Sequence, residues 1–139
     1  MPIHYALDFG TTNTVLASDR EGAVTVVAFP DWMAERIHTP VVPSAVCFRE
    51  QSERPFIGQQ AVLQNAFGRL PGYAQGFKCR LGHESHRRVA RWREQDVSAR
   101  RAAEAFFEEL RDGILQSHTA RAVGSGRWLF PWRRRWPVL

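Results

Sequence analysis

Three apolar runs separated by short polar segments open the chain. They cover residues 3–8, 14–18 and 23–29, and the polar segment 19–22 separates the last two. Short apolar and β-branched runs bounded by turn residues are typical of β-strands. The pattern therefore predicts a meander of three strands that ends at Pro30.

The middle of the chain alternates between short apolar runs and polar or glycine-rich segments. Residues 44–48 and 55–57 are apolar and flank the polar segment 49–54, which predicts a β-hairpin. Residues 58–67 have a helical pattern. Residues 68–76 are rich in glycine and proline, and we expect them to be irregular.

The clearest helix pattern follows a charged, weakly periodic segment at residues 84–92, in which we expect Trp92 to lie on a helix surface. Asp96 or Ser98 is a candidate N-cap, and Asp112-Gly113 has the composition of a helix end. The apolar positions recur at spacings of three and four, and they are Ala99, Ala102, Ala103, Phe106, Leu110 and Ile114. This stripe predicts a helix that packs against the preceding hairpin.

Candidate chemistry begins at the first turn, which reads Asp8-Phe9-Gly10-Thr11-Thr12-Asn13. Gly10 would let a phosphate approach the backbone, and Thr11 and Thr12 offer amides and hydroxyls. Asp8 could hold a hydrated Mg²⁺ ion. Alternatively, the segment is an ordinary hairpin turn with side-chain hydrogen bonds.

Lys78 is the only lysine of the chain, beside eighteen arginines. A lysine offers a compact point charge where arginine offers a planar fork, which suits contact with a phosphate group. The alternative is a solvated surface amine.

Four segments in order carry a family resemblance. They are residues 6–15, with the turn quoted above, Thr39-Pro40 to Pro43-Ser44-Ala45-Val46, Phe56-Ile57-Gly58-Gln59-Gln60-Ala61, and Phe77-Lys78 to Leu81-Gly82. Together, over residues 3–116, the chain resembles the start of the seventy-kilodalton heat-shock chaperone family, within the actin and sugar-kinase superfamily of ATPases. The resemblance implies an α/β fold, a partial actin-like ATPase (ribonuclease H-like) lobe. Residues 1–38 would form the first three strands of a mixed sheet with the phosphate loop, and residues 39–116 a small hairpin-plus-helix subdomain.

The resemblance also implies roles and ligands. Asp8 would lie near Mg²⁺, the phosphate loop would comprise Gly10, Thr11, Thr12 and Asn13, and Lys78 would reach the γ-phosphate and the attacking water. ATP, ADP and Mg²⁺ are the implied ligands, and unfolded clients and co-chaperones are implied for a full-length parent. The family's second phosphate loop and adenosine pocket have no counterpart in these 139 residues, so we expect weak nucleotide contact and inefficient turnover.

The net charge of +5 comes from the end of the chain. Residues 1–112 hold 14 basic and 14 acidic residues, whereas residues 113–139 hold five arginines and no carboxylate, with three of the five tryptophans. We expect residues 117–139 to be a non-native or disordered tail produced by a frame change in a GC-rich gene. In the alternative, the chain is a non-catalytic interaction module whose tail binds nucleic acid or anionic surfaces. Because the charges of residues 1–112 balance, nucleic acid is an unlikely partner for that part of the chain.

The cysteines, the N-terminus and the hydropathy indicate the cellular compartment to expect. Cys47 and Cys79 lack the spacing of a disulfide framework, and the N-terminus has no secretory pattern, so we expect a cytoplasmic protein. No apolar run is long enough for a membrane span. Cys79, His83 and His86 lie close together in the sequence, but a structural zinc site needs a fourth ligand, so we expect no metal centre there.

Overall fold

The structure is a computed structural model that describes residues 3–34, 40–68 and 70–119. These residues form a mixed α/β arrangement of antiparallel sheets and two α-helices. The strands are β1 (His4–Phe9), β2 (Asn13–Arg20), β3 (Ala23–Val26), β4 (Val42–Pro43), β5 (Ala45–Cys47), β6 (Phe56–Ile57), β7 (Tyr73–Gln75), β8 (Arg88–Trp92) and β9 (Gln95–Ser98). The helices are α1 (Gly58–Gln64) and α2 (Ala99–Thr119), and a 3₁₀ helix covers Phe77–Arg80. The predicted tail lies outside the described residues from residue 120 onward.

The first sheet contains the predicted meander. Strand β2 pairs antiparallel with β1 on one side, and with β3 and then β4 on the other. The third strand is shorter than predicted and ends at Val26, because the chain then turns inward. Phe29 is buried and stacks on Trp32, with 5.2 Å between the ring centroids.

The second sheet has the order β6-β5-β7. Its β5–β6 hairpin confirms the prediction for residues 44–48 and 55–57. Strand β7 lies in the segment that we expected to be irregular, so that prediction was wrong for residues 73–75. Its pairing partner is β5, with Cys47 opposite Tyr73, and this long-range pairing leaves no periodic signal in a three-residue strand. Helix α1 ends three residues before the predicted boundary.

Residues 88–98 form a second hairpin, which corrects the prediction of a helix surface around Trp92. The loop residues Arg93 and Glu94 have φ angles of 47° and 65°, as a tight hairpin turn requires. The indole nitrogen of Trp92 donates a hydrogen bond to the Arg49 carbonyl (3.0 Å), and its ring packs against Phe48. Trp92 therefore joins the hairpin to the segment that follows β5.

Helix α2 confirms the strongest sequence prediction. The Ser98 hydroxyl accepts a hydrogen bond from the Arg101 amide (3.2 Å), so Ser98 is the cap rather than Asp96, which lies in β9. All six residues of the predicted stripe are buried. The predicted helix end at Asp112-Gly113 was wrong, because α2 continues to Thr119. Gly113 makes room for Trp32, whose Cη2 would lie 2.1 Å from a Cβ at that position.

Ion pairs join the loop before β6 to α2. The Arg54 guanidinium contacts Glu109 at 2.8 Å and Asp112 at 2.7 Å. Burial favours the neutral form of Asp112, but Arg111 and Arg54 outweigh it and lower the pKa of this carboxyl. Arg54 is half exposed, so each pair contributes at most about 1 kcal/mol to stability.

The main hydrophobic cluster contains residues from both sides of the predicted boundary at residue 38. Leu16 and Phe29 lie in the same cluster as Val46 and Phe106. The two segments therefore share one core. Their division into two units stays a prediction. Within the described ranges, neither helix has the length and apolar character that crossing a membrane demands.

The two cysteines should differ sharply in reactivity. Cys47 is fully buried, and burial raises the pKa of its thiol, although Arg49 opposes this. Cys79 is exposed. Since the thiolate is the reactive form, we expect a thiol reagent to label Cys79 rapidly and Cys47 only as the core opens. Mass spectrometry over time should show one modification, then a slow second. Cys79→Ser should remove the fast phase, and two equal rates would contradict this burial pattern.

Candidate functional site

The turn between β1 and β2 depends on a glycine. The Gly10 amide donates a hydrogen bond to the Asn13 carbonyl (2.9 Å), which closes the turn. A Cβ at Gly10 would lie 2.3 Å from that same carbonyl oxygen. Any side chain at this position would therefore force the turn open.

Ser44 holds the turn from the other side. Its amide donates to the Thr12 carbonyl (2.7 Å), and its hydroxyl donates to the Gly10 carbonyl (2.8 Å). The Thr14 and Ser44 hydroxyls are 2.9 Å apart, and both residues are buried. Because a serine hydroxyl has one proton, which goes to Gly10, Thr14 donates to Ser44. The turn is thus fixed by a buried network.

Sequence reasoning did not assign Ser44 and Thr14 to the site. Both residues lie within the segments that carry the family resemblance, and Ser44 follows Pro43 at the junction of β4 and β5. That Pro-Ser element was the available signal, but nothing in its local pattern indicates a contact with a turn more than thirty residues earlier.

The polar groups of the turn face outward. Asp8, Thr11, Thr12 and Asn13 are all exposed. The amides of Thr11 and Thr12 donate to no other residue within the described ranges. Exposed hydroxyls and amides on a rigid turn, with a carboxylate beside them, form a surface suited to an oxyanion and a hydrated cation.

Lys78 lies against this turn although it is far away in the sequence. It belongs to the 3₁₀ helix, which starts after Gly76 at a φ of 70°. Its Nζ donates a hydrogen bond to the Phe9 carbonyl, 69 residues earlier, and lies 5.3 Å from the centroid of the Phe9 ring. Both contacts attract an ammonium group. The lysine and the glycine-threonine turn therefore meet on one surface.

An aromatic cluster holds the lysine and the turn together. The Phe9 ring is 6.1 Å from that of Phe77, 5.9 Å from that of Phe106 and 4.8 Å from that of Phe107. Phe77 directly precedes Lys78 and is buried. Helix α2 thus supports β1 and the 3₁₀ helix through one cluster, which fixes their separation.

Cys79 provides a second link between the two segments. Its Sγ lies 3.8 Å from the Thr11 hydroxyl oxygen. Thiol hydrogen bonds are weak, so this contact adds little energy. It does place an exposed, labelable thiol at the edge of the turn.

The donor set is compatible with Mg²⁺ held through water. The described ranges contain no group of three or more His, Cys, Asp or Glu side chains able to hold a metal ion, and Cys79, His83 and His86 form none. Mg²⁺ keeps several waters and often uses one or two carboxylates together with substrate phosphates. Asp8 alone could serve in that way. A groove of about 320 Å³ lies elsewhere, between Pro71 and residues 88–91, whereas Asp8 and residues 11–13 are exposed at the surface.

Comparison with models of known protein families finds no match for this chain, and comparison with curated proteins finds no significant relative. Its function must therefore be argued from the turn, the lysine and their surroundings.

Proposed function

We propose that this chain provides one wall of a Mg²⁺-nucleotide site, as the opening part of a nucleotide-binding domain like that of the seventy-kilodalton heat-shock chaperones. One observation carries the proposal: the Lys78 ammonium contacts the Phe9 carbonyl, next to the glycine-threonine turn. A hairpin turn with no further role does not require a distant cation beside it. The parent activity would be ATP binding and hydrolysis coupled to protein folding.

Each residue of the turn has a defined task in this proposal. Thr11 and Thr12 would donate hydrogen bonds to phosphate oxygens, and Asn13 would line the same surface. Gly10 leaves the backbone open to close approach. Asp8 would accept hydrogen bonds from the water shell of Mg²⁺, which neutralises phosphate charge when bound.

Lys78 would exchange partners when a nucleotide binds. Its bond to the Phe9 carbonyl has a neutral acceptor, whereas a phosphate oxygen is charged and forms a stronger bond. The side chain is exposed and flexible, so its ammonium can leave the carbonyl without moving the 3₁₀ helix. In phosphoryl transfer, a cation so positioned stabilises the charge that develops on the phosphoryl oxygens.

The proposal predicts saturable stabilisation by Mg²⁺-ATP. A ligand at ten times its Kd stabilises the native state by about 1.4 kcal/mol, which raises the Tm of a domain of this size by several degrees. We expect this shift in the wild-type chain at millimolar Mg²⁺-ATP. Loss of one charge-assisted contact costs about 1.5–3 kcal/mol, so Asp8→Ala and Lys78→Met should each reduce the shift to about a quarter or less over the same range.

Matched variants separate binding from general effects on stability. Lys78→Arg keeps the charge and should retain part of the shift. Asp96→Ala removes an exposed carboxylate in β9, and its shift should equal that of the wild type. Sulfate at equal ionic strength controls for salt. The proposal fails if ATP produces no saturable shift, or if Asp8→Ala and Lys78→Met respond like the wild type.

Cys79 offers a second readout of the same titration. Since its Sγ lies 3.8 Å from the Thr11 hydroxyl, a phosphate at the turn should slow labelling of this thiol. The Kd from labelling should agree with the Kd from thermal unfolding. If nucleotide leaves the labelling rate of Cys79 unchanged, that result would contradict binding at this turn.

A further inference from the structure

The outer edge of β3 is an open strand edge. Strand β3 ends the strand order β1-β2-β3 of the first sheet, and in the part of the chain that the structure describes its only pairing partner is β2. All four of its residues are exposed. It contains no proline and no charged residue, and its register with β2 has no bulge. Since natural proteins use these devices to keep edge strands from pairing with other chains, β3 is free to pair.

The backbone groups of Val24 and Val26 point to this edge. The Val27 amide donates a hydrogen bond to the Leu16 carbonyl of β2 (2.8 Å), so Val27 directs its backbone groups towards β2. Residues of an antiparallel strand alternate in this respect, so Val26 and Val24 direct their N–H and C=O groups away from β2. The two-residue turn at residues 21–22, with φ angles of 57° and 83°, sets the same alternation from the other end.

The valine side chains at this edge are apolar and uncovered. Val24 is 70% exposed and Val26 is 43% exposed, and both lie on the face of the sheet opposite to the buried Leu16. Thr25 lies between them on the other face, where its hydroxyl oxygen is 3.1 Å from that of Ser18. A further strand beside β3 would cover part of both valines.

We propose that β3 pairs antiparallel with β3 of a second copy of this chain, about a two-fold axis at Thr25. The order Val24-Thr25-Val26 reads the same in both directions, so Val24 of each copy lies opposite Val26 of the other. Each of these pairs exchanges two backbone hydrogen bonds, which satisfies the outward groups of β3. An isologous contact requires a self-complementary surface, and an uncharged strand with this symmetry meets no like charge in its own copy.

The charges of the turn between β2 and β3 favour this register. Pairing about Gly22 would bring the Glu21 carboxylates of the two copies close together, and like charges across a strand pair destabilise a sheet. Pairing about Thr25 instead places the two turns at opposite ends of the joined strands. A shift in the other direction would need residues beyond Val26, where β3 ends and the chain turns inward to the buried Phe29.

The test measures self-association of the full chain by sedimentation, without nucleotide or Mg²⁺, so that its outcome is independent of the proposed function. We expect a dimer with a Kd of about 10–100 μM, since the contact of one short strand is small. Thr25→Lys and Thr25→Glu each place like charges opposite each other at the axis, and each should weaken the dimer about fivefold or more. An equimolar mixture of the two variants pairs opposite charges and should restore association. Gln51→Lys and Gln51→Glu, at an exposed position outside β3, should leave the Kd unchanged.

Hydrogen exchange supplies a readout that does not depend on variants. The Val24 and Val26 amides should exchange fast in the monomer and become protected as the protein concentration rises through the Kd. A chain that stays monomeric well above the expected Kd overturns the proposal. A dimer whose Kd is the same in Thr25→Lys and Gln51→Lys also overturns it, as does a mixture of Thr25→Lys and Thr25→Glu that associates no better than either variant alone.

Discussion

Replacement of Phe106 by alanine should lower the free energy of unfolding by about 3–5 kcal/mol. Phe106 has no exposed surface, and its ring contacts those of Phe9, Phe77 and Phe107. The substitution removes this burial and the aromatic contacts, and it leaves a cavity between β1, the 3₁₀ helix and α2. Since small domains have a total stability of about 5–15 kcal/mol, we expect the variant to be only marginally folded.

Urea unfolding followed by far-UV circular dichroism measures this loss, and the chain supplies a matched control. Phe67 has the same side chain but is fully exposed, so Phe67→Ala should change stability by no more than about 0.5 kcal/mol. Phe106→Leu, which leaves a smaller cavity, should fall between the two. Equal effects at positions 106 and 67 would mean that the aromatic cluster does not hold the fold together.

The same variant bears on the candidate site. Phe106 supports both Phe9, whose carbonyl accepts the Lys78 hydrogen bond, and Phe77, which precedes Lys78. In Phe106→Leu, which should remain folded, the turn and the lysine lose part of their common support. We therefore expect a weaker response to Mg²⁺-ATP although no residue of the turn has changed.

Elements with a local periodic signal could be predicted from the sequence. The stripe of α2 repeats at three and four residues, and the strands β1 and β2 are continuous apolar runs between turn residues. In each case the signal extends over several residues and matches the geometry of the element. Their boundaries shifted by a few residues where a side chain such as Phe29 turned into the core.

Elements fixed by distant partners could not be predicted. Strand β7 has three residues, and its partner β5 lies more than twenty positions earlier. The β8–β9 turn uses Arg93 and Glu94 at positive φ, without the Asn-Gly or Asp-Gly pair that normally marks such a turn. Gly113 lies within α2 rather than at its end. Its lack of a side chain makes room for the Trp32 ring. Each of these depends on tertiary contacts that a sequence window does not contain.

The candidate site was found by a different route. Hydrophobic periodicity gave the strand and turn around Asp8, but no local pattern connects this turn with Lys78. That link came from the ordered set of segments resembling the chaperone family, and Lys78 and the turn are adjacent in the structure. Ser44 was missed because its role depends on main-chain oxygens of the turn, which any sequence would supply.

Gly72→Ala should be the most disruptive conservative change in the second sheet, with a loss of about 3 kcal/mol. A Cβ at Gly72 would lie 1.9 Å from the Phe48 carbonyl oxygen and 2.9 Å from its carbon. Both atoms belong to the main chain, so no side-chain rotation relieves the clash. Phe48 also donates its amide hydrogen bond to the Gly72 carbonyl (2.9 Å), so moving the segments apart breaks the contact next to the β5–β7 pairing.

Gly82→Ala is the matched control, because a Cβ there meets nothing within 4 Å. Neither glycine has a positive φ, so backbone conformation gives neither substitution a special penalty. Alanine also restricts the unfolded chain, which should make Gly82→Ala neutral or more stable by up to about 1 kcal/mol. Gly72→Ala should thus lower the urea midpoint, whereas Gly82→Ala should leave it unchanged or raise it. If Gly72→Ala unfolds with the wild-type midpoint, the close approach of residues 48 and 72 is wrong. The register of the neighbouring β5–β7 pairing, in which Cys47 lies opposite Tyr73, would then be in question as well.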